Sequence, residues 1–463
     1  MTRRQVLQST AAAPLLAGQS PSPAKPNIVI IISDQFRGDM IGAAGANPMG
    51  LTPNLDAMAR RGTLFRSAVC SQPVCAPTRA SIFTGQYPEK HGVWKNGLPI
   101  RTDAKTLATA CRDAGYTANY IGKWHLGPTG PDRSPASVGP VPAPYRGGFL
   151  DLWEASNELE WTSHPYEGDL FDSAGKPIHF SGEYRTDFMT RRAQAFLKSA
   201  RSPFLLVLSY LEVHHQNDID AFVPPREYAG KFPNPFIPQD LRPLPGSWIQ
   251  QLGDYCGSVA KMDETVGTIL KSIDANTIVI FVSDHGCHFK TRNAEYKRSP
   301  HESSIHVPLV IQGPGFNRSL VVPEIVSHVD LAPSLLTAAG IPVPDTMQGR
   351  SFLPLLDRNN ASWRNEAYIT MSEFMTGRIL RTPEFTYAVA APKNAAWKSA
   401  PASPEYNEYM LYDLAADPFQ HVNLAGRVET RQIAARLRER LLARIEESSG
   451  AKPRIGPSLF PYS

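Results

Sequence analysis

The sequence predicts a mostly parallel, doubly wound α/β fold, and three observations carry that expectation. Two continuous β-branched runs, residues 28–32 and 278–282, have the composition of strands covered on both faces. Stretches with helical spacing and helix punctuation alternate with runs of this kind. Four apolar runs stop in polar, ligand-capable side chains, as strands do at the carboxyl edge of such a sheet.

The first run, Ile28-Val29-Ile30-Ile31-Ile32, stops at Ser33-Asp34-Gln35. A helix is predicted over residues 53–61, with Thr52 as cap, Pro53 at its first position and Gly62 as stop. Residues 75–85 read as a short helix begun near Pro77 and stopped at Gly85, so that Cys75 sits at or just before a helix N-terminus. There the dipole and the unpaired backbone N–H groups favour an anion and an activated side chain, and Arg79, one turn on, is expected as a bidentate oxyanion donor. Residues 105–114 form the next helix, closed by Gly115, with Cys111 in the core beside Leu107 and Ala114. The run Ala118-Asn119-Tyr120-Ile121-Gly122 leads to Lys123-Trp124-His125, and Phe204-Leu205-Leu206-Val207-Leu208 leads to Glu212 and the pair His214-His215. A long helix is predicted over residues 250–273, with Tyr255, Val259, Met262, Val266 and Ile269 as its apolar face. The last strand, 278–282, stops at Ser283-Asp284-His285-Gly286.

Strand ends of a doubly wound sheet lie along one edge, so Asp34, Gln35, Asp284 and His285 are expected to converge. Two carboxylates, an amide oxygen and an imidazole suffice to hold a divalent cation. The oxygen-rich set suggests Ca²⁺, Mg²⁺ or Mn²⁺, while the imidazole also admits a more transition-metal-like ion.

The 463 residues, 42% hydrophobic and 19% charged, suit one large or two unequal domains. Net charge is +4 with the basic residues scattered, so nothing resembles a nucleic-acid-binding stripe. The 42 prolines concentrate at 128–147, 223–245 and 391–404, which argues for long ordered loops that shape a pocket. Aromatic residues of the segment 151–186, namely Trp153, Trp161, Tyr166 and Tyr184, are candidates either to stack on a sugar or to pack a loop. Five cysteines form no repeating framework and predict no disulfide scaffold. At the start, Thr2-Arg3-Arg4-Gln5-Val6-Leu7, a weakly apolar stretch 11–18 and a Pro/Ser linker 20–26 resemble a twin-arginine export signal, which predicts a periplasmic or extracellular protein. That apolar stretch is too short to span a membrane, and no other transmembrane segment is expected.

The pentapeptide Cys75-Ala76-Pro77-Thr78-Arg79, with Thr84-Gly85 following, resembles the signature of the type I sulfatases, in which that cysteine is oxidised to formylglycine. The likeness to this family of the alkaline-phosphatase-like superfamily continues in order along the chain. Pro26-Asn27-Ile28 through Asp34 resembles its opening metal strand. Gly115-Tyr116-Thr117 through Lys123-Trp124-His125-Leu126-Gly127 resembles its second signature. Asp284-His285-Gly286, then Lys297 and His301 to Pro308, resemble the second metal segment, and Leu411-Tyr412-Asp413-Leu414 a C-terminal one. The resemblance implies a catalytic domain over 27–357 and a smaller C-terminal α+β subdomain with an antiparallel sheet over 358–463, after a signal and linker over 1–26.

It also implies a mechanism. Hydrated formylglycine at Cys75 would attack sulfur, held by Arg79 and a divalent metal, most readily Ca²⁺, on Asp34, Gln35, Asp284 and His285. Lys123 and Lys297 would clamp sulfate oxygens, His214 would protonate the leaving oxygen, and His125 would deprotonate the second hydroxyl. Asn96, His215 and His301 are the expected substrate-binding side chains, with His288 and Trp94 as further pocket candidates. The implied partners are a sulfated small molecule or saccharide and a formylglycine-generating enzyme. The chain departs from the family at Gln35 and His285, where a second Asp and an Asn are frequent, and at Thr78, where Ser is frequent. The Gln/His pair resembles the phosphonate monoester and phosphodiester hydrolases of the superfamily, an alternative activity; a non-catalytic sulfate-binding protein is a further one. Glu212-Val213 stands where the family has a Pro before its histidine, which leaves the acid role open between His214 and His215.

Overall fold

The run of isoleucines near the start becomes the centre of the molecule. In the computed structural model, which describes residues 25–130, 134–393 and 400–458, it forms β1 (Asn27–Ser33), buried at every position. The export signal expected over residues 2–18 lies outside the described residues. β1 pairs in parallel with β8 (Phe204–Tyr210) on one side and β9 (Thr277–Ser283) on the other, and β8 pairs in parallel with β3 (Thr117–Lys123). The four strands predicted to end in polar clusters are therefore neighbours, in the order β9-β1-β8-β3, and their carboxyl ends share one edge.

Side chains alternate across this sheet. Ile28, Ile30 and Ile32 enter one apolar cluster with Ala80, Phe83, Leu107, Cys111 and Leu335; Val29 and Ile31 enter another with Met58, Val259, Met262 and Ile269. Helices thus cover both faces, which is why the strands could be apolar without alternation. The helix Pro53–Arg61 has the predicted bounds, but the Thr52 side chain does not cap it; its hydroxyl donates to Asp56 at 3.1 Å and accepts from the Gly42 N–H. Gly62 is required by proximity rather than by its φ of −104°, since a Cβ there would lie 2.2 Å from the Ile311 carbonyl oxygen. The long helix spans Trp248–Leu270, somewhat N-terminal to its predicted bounds.

Beyond β9 comes β10 (Leu309–Gln312), antiparallel to β9 and to β2 (Thr63–Val69) on its other side, and then β11 (Leu320–Ser327), parallel to β2. Beyond β3 come β4 (Trp153–Ser156), parallel to it, and then the antiparallel β6 (Glu167–Phe171), β5 (Ser163–His164) and β7 (Pro177–Ser181). A separate five-stranded sheet is built from β12 (Ala367–Met371), β13 (Gly377–Arg381), β14 (Phe385–Ala390), β15 (Glu405–Asp413) and β16 (Arg454–Gly456), antiparallel except for its last pair. Leu437, Leu441 and Ile445 of the helix Arg431–Ser449 close the core of this sheet. The chain is thus α/β with a smaller antiparallel sheet. Among the described residues no helix is long and apolar enough to cross a membrane.

Candidate active site

The segment after β2 turns through Ser71–Gln72 and enters the helix Cys75–Thr84, so Cys75 is the first helical residue. Its approach is held from the second sheet. Thr370 donates its N–H to the Ser71 carbonyl at 2.9 Å and its hydroxyl to Gln72 Oε1 at 2.7 Å, while Gln72 Nε2 donates to Ser372 Oγ at 2.6 Å and to the Trp94 carbonyl. Thr78 returns its hydroxyl to the Gln72 carbonyl, and the Ala76 N–H donates to Asn96 Oδ1 at 3.1 Å. The helix ends at Gly85, which adopts φ 62°, a conformation that favours glycine.

Around Cys75 Sγ lie Lys297 Nζ at 2.9 Å, His285 Nε2 at 3.2 Å, Asp34 Oδ1 at 3.7 Å and Lys123 Nζ at 3.8 Å. Asp34 and His285 follow β1 and β9, and Lys123 ends β3, so neighbouring strand ends deliver them. Ligand atoms of Asp34, Cys75, Asp284 and His285 all lie within 4.8 Å of one another and all four residues are buried. His285 Nδ1 faces the Gly286 carbonyl at 3.0 Å, which makes it the N–H donor and leaves the Nε2 lone pair directed at the cluster. Buried carboxylates with an imidazole so directed fit a divalent cation.

Arg79 has a different role from the one its position suggested. Its guanidinium is wholly buried and donates to Asp34 Oδ2 and Asp284 Oδ2, each at 3.2 Å, to Ser209 Oγ at 2.6 Å and to the Lys123 carbonyl at 3.0 Å. It clamps the two carboxylates from behind and does not line the cavity in front of Cys75. Gln35 Oε1 faces His215 Nδ1 at 3.2 Å and its Nε2 faces Cys287 Sγ at 3.4 Å, which fixes the amide with one lone pair of its oxygen in use.

These charges set each other. Burial works to raise the Asp34 carboxyl, but Lys123, His214 and Arg79 outweigh it and hold the group well below the usual carboxylate range. Burial and the neighbouring Asp34 leave the Asp284 carboxyl raised. Burial and Asp34 also press the Cys75 thiol upward, yet Lys123, Lys297 and His285 prevail and draw it well below an ordinary thiol.

His214 and His215 stack at 4.3 Å, and His215 stacks in turn on Tyr296 at 4.1 Å. His214 Nε2 lies 3.4 Å from Lys297 Nζ while His215 turns to Gln35, so His214 is the member of the pair that approaches the centre. Burial and His215 push His214 well below the usual imidazole value, and burial with Lys297 brings His215 to about 3. The turn that carries them is fixed by the Ser33 hydroxyl on the Glu212 carbonyl at 2.8 Å and by Arg185 Nε on Glu212 Oε1 at 3.0 Å. His288 accepts no substrate-facing place; its Nε2 lies 3.0 Å from the Lys297 carbonyl, which it holds.

A cavity of about 360 Å³ opens in front of Cys75, lined by Asn96, His125, His214, His215 and Lys297 among others. His301 is apart from it: its Nε2 meets the Tyr412 hydroxyl at 3.0 Å. Sequence reasoning missed Glu160, a buried carboxylate whose Oε1 lies 3.0 Å from Lys123 Nζ and 3.7 Å from His125 Nδ1. It missed the pair Arg298–Glu373 at the mouth as well, two residues that meet only through the fold. Glu160 has no local signature, since it sits in a single helical turn after β4, Leu159–Thr162, too short to show a period, and gains meaning only from β3 beside it. The aromatic candidates separate cleanly: Trp153 and Tyr184 are buried, Tyr166 lies under Arg226 at 4.5 Å, and Trp161 is 43% exposed on the cavity rim.

The sequence profile of the sulfatase family matches residues 26–341, and that of the N-sulphoglucosamine sulphohydrolase C-terminal region matches residues 294–447. An ulvan-active sulfatase of Formosa agariphila is 31% identical, over 93% of this chain and 83% of its own length. An arylsulfatase of Clostridium perfringens is 27% identical, over 91% and 95%. Among solved structures, the yidJ protein of Bacteroides fragilis superposes with a TM-score of 0.77 at 24% identity, covering 94% of this chain and 98% of its own.

Proposed function

Since the chain belongs to the sulfatase family and is a sulfuric ester hydrolase, we propose that it cleaves a saccharide sulfate monoester at residue 75 once Cys75 has been converted to formylglycine. The observation that carries this reading is the convergence of Lys297, Lys123, His285 and Asp34 within 3.8 Å of Cys75 Sγ, whose position the hydrated aldehyde oxygens would take. The ulvan-active relative supports the saccharide part of the reading.

Hydrated formylglycine supplies two hydroxyls on one carbon, one to attack sulfur and one whose deprotonation lets the enzyme shed sulfate. A divalent metal, Ca²⁺ in preference to Mg²⁺ or Mn²⁺, would be held by Asp34, Asp284 and His285, with Gln35 Oε1 as a further ligand through the lone pair that does not face His215, and would stabilise charge on the sulfate oxygens. Arg79 keeps both carboxylates aimed at that centre by occupying their outer oxygens. Lys297 and Lys123 hold sulfate oxygens beside residue 75, and Glu160 fixes Lys123 from the far side. His214 Nδ1 donates to the His215 carbonyl at 2.6 Å, which leaves Nε2 to carry a proton to the leaving oxygen. Burial and His215 depress its proton affinity most, and Lys297 and Lys123 add to that, so an arriving sulfate anion that counters the lysine charge favours protonation. His125, on the same cavity wall with Nδ1 toward Glu160, takes the proton of the second hydroxyl. Asn96 and His215 shape the wall on the leaving-group side.

The residues Gln35 and His285 keep one rival reading in view, a phosphonate monoester or phosphodiester hydrolase with the same nucleophile. Turnover of an aryl sulfate against an aryl phosphonate monoester on one matured preparation decides between them; faster phosphonate cleavage would overturn the sulfatase reading. We also propose twin-arginine export of folded, already matured enzyme, read from Arg3 and Arg4. Replacing both by lysine should trap active enzyme inside the cell, and unchanged export would refute the assignment.

A further inference from the structure

Resting on the reading that residue 75 attacks a sulfate ester, we propose that the cavity selects a neutral saccharide ring bearing a single sulfate and discriminates against a second anionic group on that ring. The cations of the site fall into two sets. Lys297 and Lys123 stand at residue 75, where the reacting sulfate sits. The two that stand further out each pair with carboxylates of the lining: Lys290 with Asp220, 4.8 Å over the Tyr296 ring, and Arg298 with Glu295 and, at 3.4 Å, with Glu373, which leaves its Nε as the one guanidinium nitrogen without a partner among the described residues.

Glu158 brings a further carboxylate into the lining. Its side-chain partner among the described residues is the Thr129 hydroxyl at 2.7 Å, and no described cation pairs with it. Outside the reaction centre four carboxylates, Glu158, Asp220, Glu295 and Glu373, therefore face two cations. A second sulfate or a uronate carboxylate would meet a net negative lining whose two described outer cations are already paired with carboxylates, whereas a ring hydroxyl can donate to Glu158. The rim completes the description. Trp161 is 43% exposed, and no ring or cation packs on it among the described residues, so its indole offers an uncharged platform to the C–H face of a sugar. A volume of about 360 Å³ accommodates one such ring with its sulfate.

The test uses the full chain with residue 75 matured to formylglycine and four probes. These are an aryl sulfate that reads the chemistry alone, positional isomers of a neutral methyl pyranoside monosulfate, the corresponding disulfates, and monosulfated methyl uronosides. The best neutral monosulfate should exceed the best disulfate and the best uronoside in kcat/KM by about tenfold or more. Trp161→Ala should raise KM for the neutral monosulfate about tenfold, with the loss falling on KM rather than kcat, and Trp161→Phe should recover most of it. Glu158→Gln should narrow the gap between monosulfate and disulfate. Preference for the disulfate or the uronoside, or an unchanged KM in Trp161→Ala, overturns the proposal. If the aryl sulfate is cleaved while the saccharide preference is reversed, this inference alone falls. If no sulfate ester is cleaved, the underlying reading falls and takes the inference with it.

Discussion

Lys297 Nζ lies 2.9 Å from Cys75 Sγ, an approach between residues 222 positions apart in the chain. Lys297 also reaches His285 Nε2 at 3.0 Å and His214 Nε2 at 3.4 Å, which makes it the cation shared by the proposed nucleophile, the candidate metal ligands and the proposed acid. Lys297→Ala should lower kcat/KM for an aryl sulfate by about 10²- to 10³-fold, the loss typical of removing one donor to developing charge. Steady-state kinetics on protein whose residue 75 has been verified as formylglycine checks this. A loss under threefold would remove Lys297 from the reaction.

Arg79 donates to both Asp34 and Asp284 and does not line the cavity, so its proposed part is to hold the carboxylates. Lysine in its place cannot reach both Asp34 and Asp284, so Arg79→Lys should weaken apparent metal affinity about 10- to 100-fold, as loss of outer-shell partners does. The measurement is the metal concentration that restores activity and thermal stability after chelation. Wild-type metal affinity in the variant would show that the clamp has no bearing on the site.

Glu160 holds Lys123 Nζ at 3.0 Å with His125 beside it. Burial alone would raise its carboxyl, but Lys123 and His125 leave it lowered, so it is ionised in use. Glu160→Gln should reduce kcat by about tenfold or more while leaving KM within a few-fold, and Glu160→Asp should recover part of the rate. A purely structural glutamate would instead show lost thermal stability with kcat preserved.

Stability should fall on mild acidification. His91, His288 and His328 are buried and pushed down to about 3, so the folded state keeps them neutral while the unfolded state protonates them near 6.5. Their contribution is fully present above about pH 6.5 and is lost progressively as pH falls toward 3, at up to about 1.4 kcal/mol per pH unit for each group. Urea denaturation at several pH values between 5 and 7.5 reads the slope. His91→Gln, which keeps a polar partner for Ser81, should reduce that slope by about one proton; an unchanged slope would exclude His91.

The sheet centre was legible because residues 28–32 and 278–282 bury both faces, which leaves no alternation to obscure a strand. The same logic delivered the site: Asp34, Lys123, His214 and His285 follow adjacent strands, so knowing that the sheet is parallel is nearly knowing that they meet. Roles that depend on direction were not legible. Arg79 sits one turn from Cys75, but only the fold aims its guanidinium at the carboxylates rather than the cavity. His301 resembles a ligand by position and is turned to Tyr412 by packing. β10, antiparallel within a parallel sheet, and Glu160, in a single helical turn between short strands, carry no periodic signal at all. Of four aromatic candidates in one segment, exposure alone singles out Trp161.

The central claim is that Cys75 is the precursor of the nucleophile. Its most direct test is mass analysis of the peptide containing residue 75 after co-expression with a formylglycine-generating enzyme, paired with aryl sulfate turnover on the same sample. The account predicts replacement of the thiol by an aldehyde, with turnover proportional to the converted fraction and absent in Cys75→Ala. A thiol that persists under conditions that mature a known sulfatase, or turnover independent of conversion, would contradict it.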